Sequence, residues 1–145
     1  MEDKRLKILV IDDDQSMREL LETILKDKYT VLTASTGGAG IRMLEHENIN
    51  IVMLDLRLPD VDGLDVLKNI KDKYAYVEVM VISAVKDIDV VVRAMKLGAY
   101  NYITKDFDPD ELLTLIDRLR ETMECKKERC YLRSEVGQLS LSETI

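Results

Sequence analysis

The sequence predicts an α/β fold: a doubly wound, five-stranded parallel sheet with five helices, the last extended into a linker. Two features predict this class. Short continuous apolar runs alternate with helix-period segments through about residue 120, and the runs are rich in β-branched side chains with polar or turn residues at their ends. The runs Ile8 to Ile11, Tyr29 to Ala34, Ile51 to Leu54, Val77 to Ile82 and Tyr100 to Ile103 are the expected strands. The second run mixes Thr30 and Thr33 with Val31 and Leu32, so it tolerates water on one side and is expected at a sheet edge.

Between the strands, Met17, Leu20, Leu21, Ile24 and Leu25 recur at helical spacing, as do Ile88, Val91, Val92 and Met95. Leu64, Leu67 and Ile70 form a shorter stripe. All three are expected to be helices covering the sheet. Asp13 or Asp14 can cap the first of them. Gly98 stands where the fourth helix must end in a left-handed cap, and Asp108 with Pro109 stands where a fifth can begin.

The bulk numbers narrow the function. A chain of 145 residues, 46% hydrophobic and 34% charged, can bury a core and keep a solvated surface, which implies a soluble globular domain plus a tail. The expected division is a domain over residues 1–120 and a helical linker over 121–145. A net charge of -7 disfavours a nucleic-acid surface, which needs clustered Lys and Arg. The apolar runs are too short to span a bilayer, and the charged start Glu2, Asp3, Lys4, Arg5 lacks a secretory apolar region, so a cytoplasmic location is expected. Cys125 and Cys130 have no companion ligands and read as ordinary thiols. His46 falls in a charged segment and reads as part of a solvated helix face.

In an open parallel sheet, ligands bind beyond the carboxyl ends of the strands, near the point where strand order reverses. Polar residues gather there. Asp12 and Asp13 end the first strand, Asp55 the third and Ser83 the fourth, while Lys105 follows the fifth. If the strand order is the flavodoxin-like 2-1-3-4-5, the first and third strands are neighbours and all of these groups open onto one crevice. Carboxylates crowded together repel one another unless a cation sits among them, and Mg2+ suits a set of oxygen donors that leaves room for phosphate oxygens. Asp55 can then act as a nucleophile toward phosphorus, with Lys105 and the metal neutralising the transferring oxygens and the Ser83 hydroxyl donating to them.

At these residues the chain resembles the receiver domain of bacterial two-component response regulators. The likeness rests on Ile8-Leu-Val-Ile-Asp-Asp-Asp14, Leu54-Asp-Leu-Arg-Leu-Pro-Asp-Val-Asp-Gly63, Val81-Ile-Ser83-Ala and Gly98-Ala-Tyr-Asn-Tyr-Ile-Thr-Lys105, in order and at the family's spacing, and covers residues 5 to about 120. The resemblance implies that Asp55 accepts a phosphoryl group from a phosphohistidine on a sensor histidine kinase. It implies that Asp12, Asp13, Asp55 and the backbone carbonyl of Arg57 hold Mg2+, and that Ser83 and Lys105 contact the phosphoryl group. It further implies a switch in which Ser83 moves toward the phosphate and Tyr102 turns inward behind it. Arg57 and Val85 are expected to flank the path of hydrolytic water.

The chain departs from the family where Asp106 follows Lys105 in place of the usual proline. A trans Lys105–Asp106 bond is expected, because a cis bond without proline costs about 3 kcal/mol. Beyond Leu119 the helical pattern continues as a sparse stripe of Leu112, Ile116, Leu119, Met123 and Cys130, near heptad spacing. It can be a coiled-coil-like homodimer contact or a solvated linker. Tyr131-Leu-Arg-Ser-Glu-Val-Gly137 looks like the linker into the AAA+ domain of the nitrogen regulatory protein C class of sigma-54-dependent activators, which implies an output domain in a longer protein.

Two other readings compete. Asp12-Asp-Asp14-Gln-Ser16 resembles the first motif of haloacid-dehalogenase-type phosphatases, which would make Asp12 the nucleophile, but this leaves Asp55 and its Pro59 and Gly63 loop unexplained. A receiver-like interaction module that never accepts phosphate is the other, and the full set of mutually repelling carboxylates argues against it.

Overall fold

The strands β1 (Lys7–Ile11), β2 (Thr30–Ala34), β3 (Ile51–Leu54), β4 (Glu78–Ser83) and β5 (Asn101–Thr104) pair in parallel in the order β2-β1-β3-β4-β5. This is the expected order. A computed structural model describes residues 5–84 and 88–124. The expectations for Val85, Cys125, Cys130 and the Tyr131 to Gly137 motif lie outside the described residues. Four of the five strands sit one residue from the runs read in the sequence, and β2 is at the edge.

The helices are α1 (Gln15–Leu25), α2 (Gly37–His46), α3 (Gly63–Lys73), α4 (Ile88–Lys96) and a fifth, helical from residue 109 to residue 124. Three of the starts have a side-chain cap of the expected chemistry. Asp14 accepts from the Ser16 N–H at 3.0 Å, Thr36 from Ala39 at 3.0 Å, and Asp62 from Leu64 at 2.9 Å. Asp108 does the same for Asp110 at 2.9 Å, where the fifth helix begins. Gly98, at φ 106°, ends the turn after α4, and the following Ala99 N–H bonds back to the Ala94 carbonyl at 3.1 Å.

Why the strands read as unbroken apolar runs is visible in their burial: every residue of β3 is buried, so both faces of the central sheet are covered. One face carries a cluster of Leu9, Ile11, Val52, Leu54, Val79 and Val81 with Leu44 of α2, Val66, Leu67 and Ile70 of α3, and Ala94 of α4. Leu21 and Leu25 of α1 are buried outside that cluster, with Ile8, Val10 and Met53, the alternate positions on the strands.

Two helical stripes need correction. Leu20 of α1 is 43% exposed. In α4, Ile88, Val92 and Met95 face away from the core, Ile88 being 76% exposed, while Ala94 is buried and Val90 and Leu97 pack on the cluster. This helix is apolar on both sides, so period alone could not choose its buried face, and small Ala94 marks the close approach. The exposed placement of His46 agrees with the reading of it as a solvated position.

The described residues fall into two compact units, one ending at Phe107 and containing the sheet, the other beginning at Asp108. In the second, Leu112, Ile116 and Leu119 of the predicted stripe are fully buried. No helix among the described residues is long and apolar enough to cross a membrane.

Candidate functional site

Register brings the acidic residues together. Ile11 pairs with Leu54, so Asp12 and Asp55, the next residue of each chain segment, lie side by side past the strand ends. Both backbones extend the ladder by one bond: Asp12 N–H donates to Ala34 O at 3.1 Å, and Asp55 N–H to Ile11 O at 2.9 Å. This is also the point where strand order reverses, since β1 leads to β2 on one side and β3 on the other.

Carboxylate oxygens of Asp12, Asp13 and Asp55 lie within 4.8 Å of one another. Asp12 and Asp55 are buried, at 2% and 4% exposure, and Asp13 is exposed. The Lys105 ammonium spans the buried pair, donating to Asp55 Oδ2 at 2.9 Å and lying 3.1 Å from Asp12 Oδ2. The register of β5 on β4, with Thr104 opposite Ser83, delivers Lys105 to this end of the sheet.

Further bonds fix the two carboxylates. Asp12 Oδ1 accepts from the Asp14 N–H at 2.9 Å, and Asp55 Oδ1 accepts from the Arg57 N–H at 2.9 Å, which holds the Arg57 peptide beside the pocket. The Arg18 guanidinium donates to the Asp12 carbonyl at 2.7 Å. Burial raises the pKa of Asp12 above 3.8; the Asp14 N–H works against this, and the charge of Asp55 adds to it. Lys105 is pushed down by burial, but its bonds to Asp55 and Asp12 outweigh this and raise it above 10.5.

Three carboxylates against one ammonium leave two uncompensated negative charges when all are ionised. A hard dication matches both that deficit and the all-oxygen donor set. The residues present therefore fit Mg2+.

Ser83, at the end of β4, is completely buried. Tyr102 pairs with Val81 in β5 and is half-buried against the core cluster. The Lys105–Asp106 bond is trans, as expected, and the Thr104 hydroxyl donates to the Asp106 carboxylate. Sequence reasoning assigned nothing to Arg18 or Asp60. Arg18 had one available signal, its place one turn into the helix that follows the acidic cluster. Asp60 accepts from the Gly37 and Gly38 N–H groups at 3.0 and 2.9 Å, a bond between segments that no local pattern announces.

Residues 8–117 match the family described as response regulator receiver domain. An NtrX-like response regulator of Rickettsia typhi is 35% identical over 135 residues, covering 91% of this chain and 28% of the relative. The DNA-binding transcriptional regulator NtrC of Proteus hauseri is 37% identical over 112 residues, covering 77% of this chain and 24% of the relative. The crystal structure of NtrX from Brucella abortus superposes with a TM-score of 0.83 at 32% identity, over 89% of this chain and 30% of that one. The chain thus spans under a third of the length of these relatives. The match over residues 8–117, a span that includes Asp12, Asp55 and Lys105, makes this chain a member of the response regulator receiver domain family, related to NtrC and NtrX.

Proposed function

We propose that this receiver domain is switched by phosphorylation of Asp55. One observation carries the reading: Lys105 Nζ lies 2.9 Å from Asp55 Oδ2 inside a cluster of three carboxylates at the β1/β3 strand ends. Asp12, Asp13, Asp55 and the Arg57 carbonyl would hold Mg2+, which when bound neutralises charge on the phosphoryl oxygens. The Asp55 oxygen attacks phosphorus as the bond to a donor's imidazole nitrogen breaks, and that electron pair leaves with the imidazole. Lys105 and the Ser83 hydroxyl bind the transferring oxygens.

The donor is a sensor histidine kinase. The added charge and acceptor oxygens favour one loop arrangement, drawing Ser83 toward the phosphate and Tyr102 inward. Residues 1–120 form the receiver and 121–145 a linker that pairs two copies. The greater length of NtrX and NtrC supports an output domain beyond it, of the AAA+ type, controlling sigma-54-dependent transcription in the cytoplasm.

Incubation with acetyl phosphate and Mg2+, followed by mass mapping of the acyl phosphate, tests this. Label on Asp55 is expected. Label on Asp12 would identify a phosphatase of the haloacid-dehalogenase type instead, and no label would leave an interaction module.

The metal-free pocket has a pH dependence of its own. The folded pKa of Asp12 lies above its unfolded value of 3.8, so the folded state disfavours its charge. Its contribution to stability is therefore greatest below pH 3.8 and declines as pH rises through the folded pKa. Asp12→Asn is expected to make the metal-free protein more stable than wild type in urea at pH 7. Mg2+ at a hundred times its Kd should add about 2.7 kcal/mol to wild type and close to nothing to the variant.

A further inference from the structure

The segment between Asp55 and α3 is held at its neck and at its tip. At the neck, Gly63 N–H donates to Leu56 O at 3.1 Å, and Arg57 and Asp62 form an antiparallel bridge. At the tip, both carboxylate oxygens of Asp60 accept from the first turn of α2, Oδ1 from Gly37 N–H at 3.0 Å and Oδ2 from Gly38 N–H at 2.9 Å. These N–H groups belong to a helix end, where no intrahelical acceptor exists and the dipole favours a negative charge. The contact is also tight sterically: a Cβ on Gly37 would lie 2.4 Å from Val61 Cγ2 and 3.4 Å from Leu58 Cδ1.

The two segments joined in this way belong to different halves of the acidic pocket. Asp55 and the Arg57 peptide come from the β3 side. α2 follows β2, whose last residue, Ala34, pairs with Ile11 and accepts from the Asp12 N–H. A bond from Asp60 to α2 therefore ties the loop carrying Arg57 to the segment against which Asp12 is anchored. Hydrogen bonds from Gly38 and Gly37 hold the Asp60 pKa below 3.8, so the tie is present at neutral pH and is lost only as pH falls through that lowered value.

We infer that Asp60 is a positioning residue for metal binding: by tying the phosphoacceptor loop to the N-terminus of α2, it sets the separation between the Asp55–Arg57 and Asp12–Asp13 halves of the pocket. This rests on the reading of that pocket as a Mg2+ site. Groups that orient metal ligands without touching the ion typically contribute about 10- to 100-fold to affinity, and Asp60, acting through a loop, belongs at the lower end.

The test is a calorimetric titration of the 145-residue chain with Mg2+, run on wild type, Asp60→Ala, Asp60→Asn and Thr36→Ala. Thr36→Ala is the control, since it removes a cap of the same helix that has no bond to the loop. Asp60→Ala is expected to raise the Mg2+ Kd about tenfold. Asp60→Asn, which keeps one acceptor oxygen and turns an amide toward the other N–H, should raise it less. Thr36→Ala should lower the melting temperature and leave the Kd unchanged. Should Asp60→Ala fail to fold, Asp60→Asn decides. An Asp60 variant that melts earlier, as Thr36→Ala does, while binding Mg2+ like wild type would overturn the inference. Absence of Mg2+ binding by wild type would instead remove the metal reading beneath it.

Discussion

Replacing Lys105 with methionine is expected to slow acetyl phosphate labelling of Asp55 by about 10²- to 10³-fold, the usual cost of removing one preorganised donor from a developing oxyanion. Lys105 is the side chain that bridges the two buried carboxylates, at 2.9 Å from Asp55 and 3.1 Å from Asp12. Methionine keeps the length and apolar body of the lysine stem, so what is lost is the ammonium. Stability should fall as well, because breaking a buried ion pair from one side leaves carboxylates unpaired, at about 3 kcal/mol. The two effects separate through the metal. Mg2+ bound as proposed would supply the missing positive charge, so saturating metal should recover much of the stability while the labelling rate stays low. A rate that recovers together with stability would show that Lys105 only holds the pocket together and does not assist transfer.

Much of this pocket was legible because it depends on strand ends. An apolar run that stops at an aspartate fixes where the carboxylate emerges, and parallel register then aligns neighbouring ends; this is why Asp12, Asp55 and Lys105 could be placed from the chain alone and are found together. Caps were legible for the same local reason, as at Asp14, Asp108 and Gly98. What escaped depends on which way an element turns or what lies across a gap. Ile88, Val92 and Met95 satisfy helical period as well as Val90, Ala94 and Leu97 do, and the choice between faces is made by how near α4 comes to the sheet. Asp60 looks like any loop carboxylate until α2 is placed above it, and Arg18 looks like a solvated helix position until its guanidinium is seen on the Asp12 carbonyl. Both act on backbone atoms of a different segment, which leave no pattern in the side-chain sequence.

Gly63→Ala is expected to be the most damaging small substitution in the loop between Asp55 and α3. A Cβ at this position would stand 2.3 Å from Leu56 Cα, 2.5 Å from its carbonyl oxygen and 2.7 Å from its carbonyl carbon. All three are backbone atoms, so no rotamer change relieves the clash. Leu56 is bonded directly to Asp55, and Gly63 N–H also donates to the Leu56 carbonyl, so any relief must shift the peptide next to Asp55. Overpacking against a fixed neighbour costs about 3 kcal/mol at the upper end of the usual range, and the loss should appear in urea denaturation together with a failure to label Asp55. Gly98→Ala separates a general loss of stability from a local one. Gly98 has φ 106°, where an alanine is strained by about 1–2 kcal/mol. It precedes β5, at the end of the sheet opposite the acidic pocket. That variant should melt earlier and still label at the wild-type rate, whereas Gly63→Ala should lose labelling even at temperatures and Mg2+ concentrations where it remains folded. Equal labelling by both folded variants would mean that the Leu56 peptide moves without carrying Asp55 along, and the rigid link from Gly63 to Asp55 would be wrong.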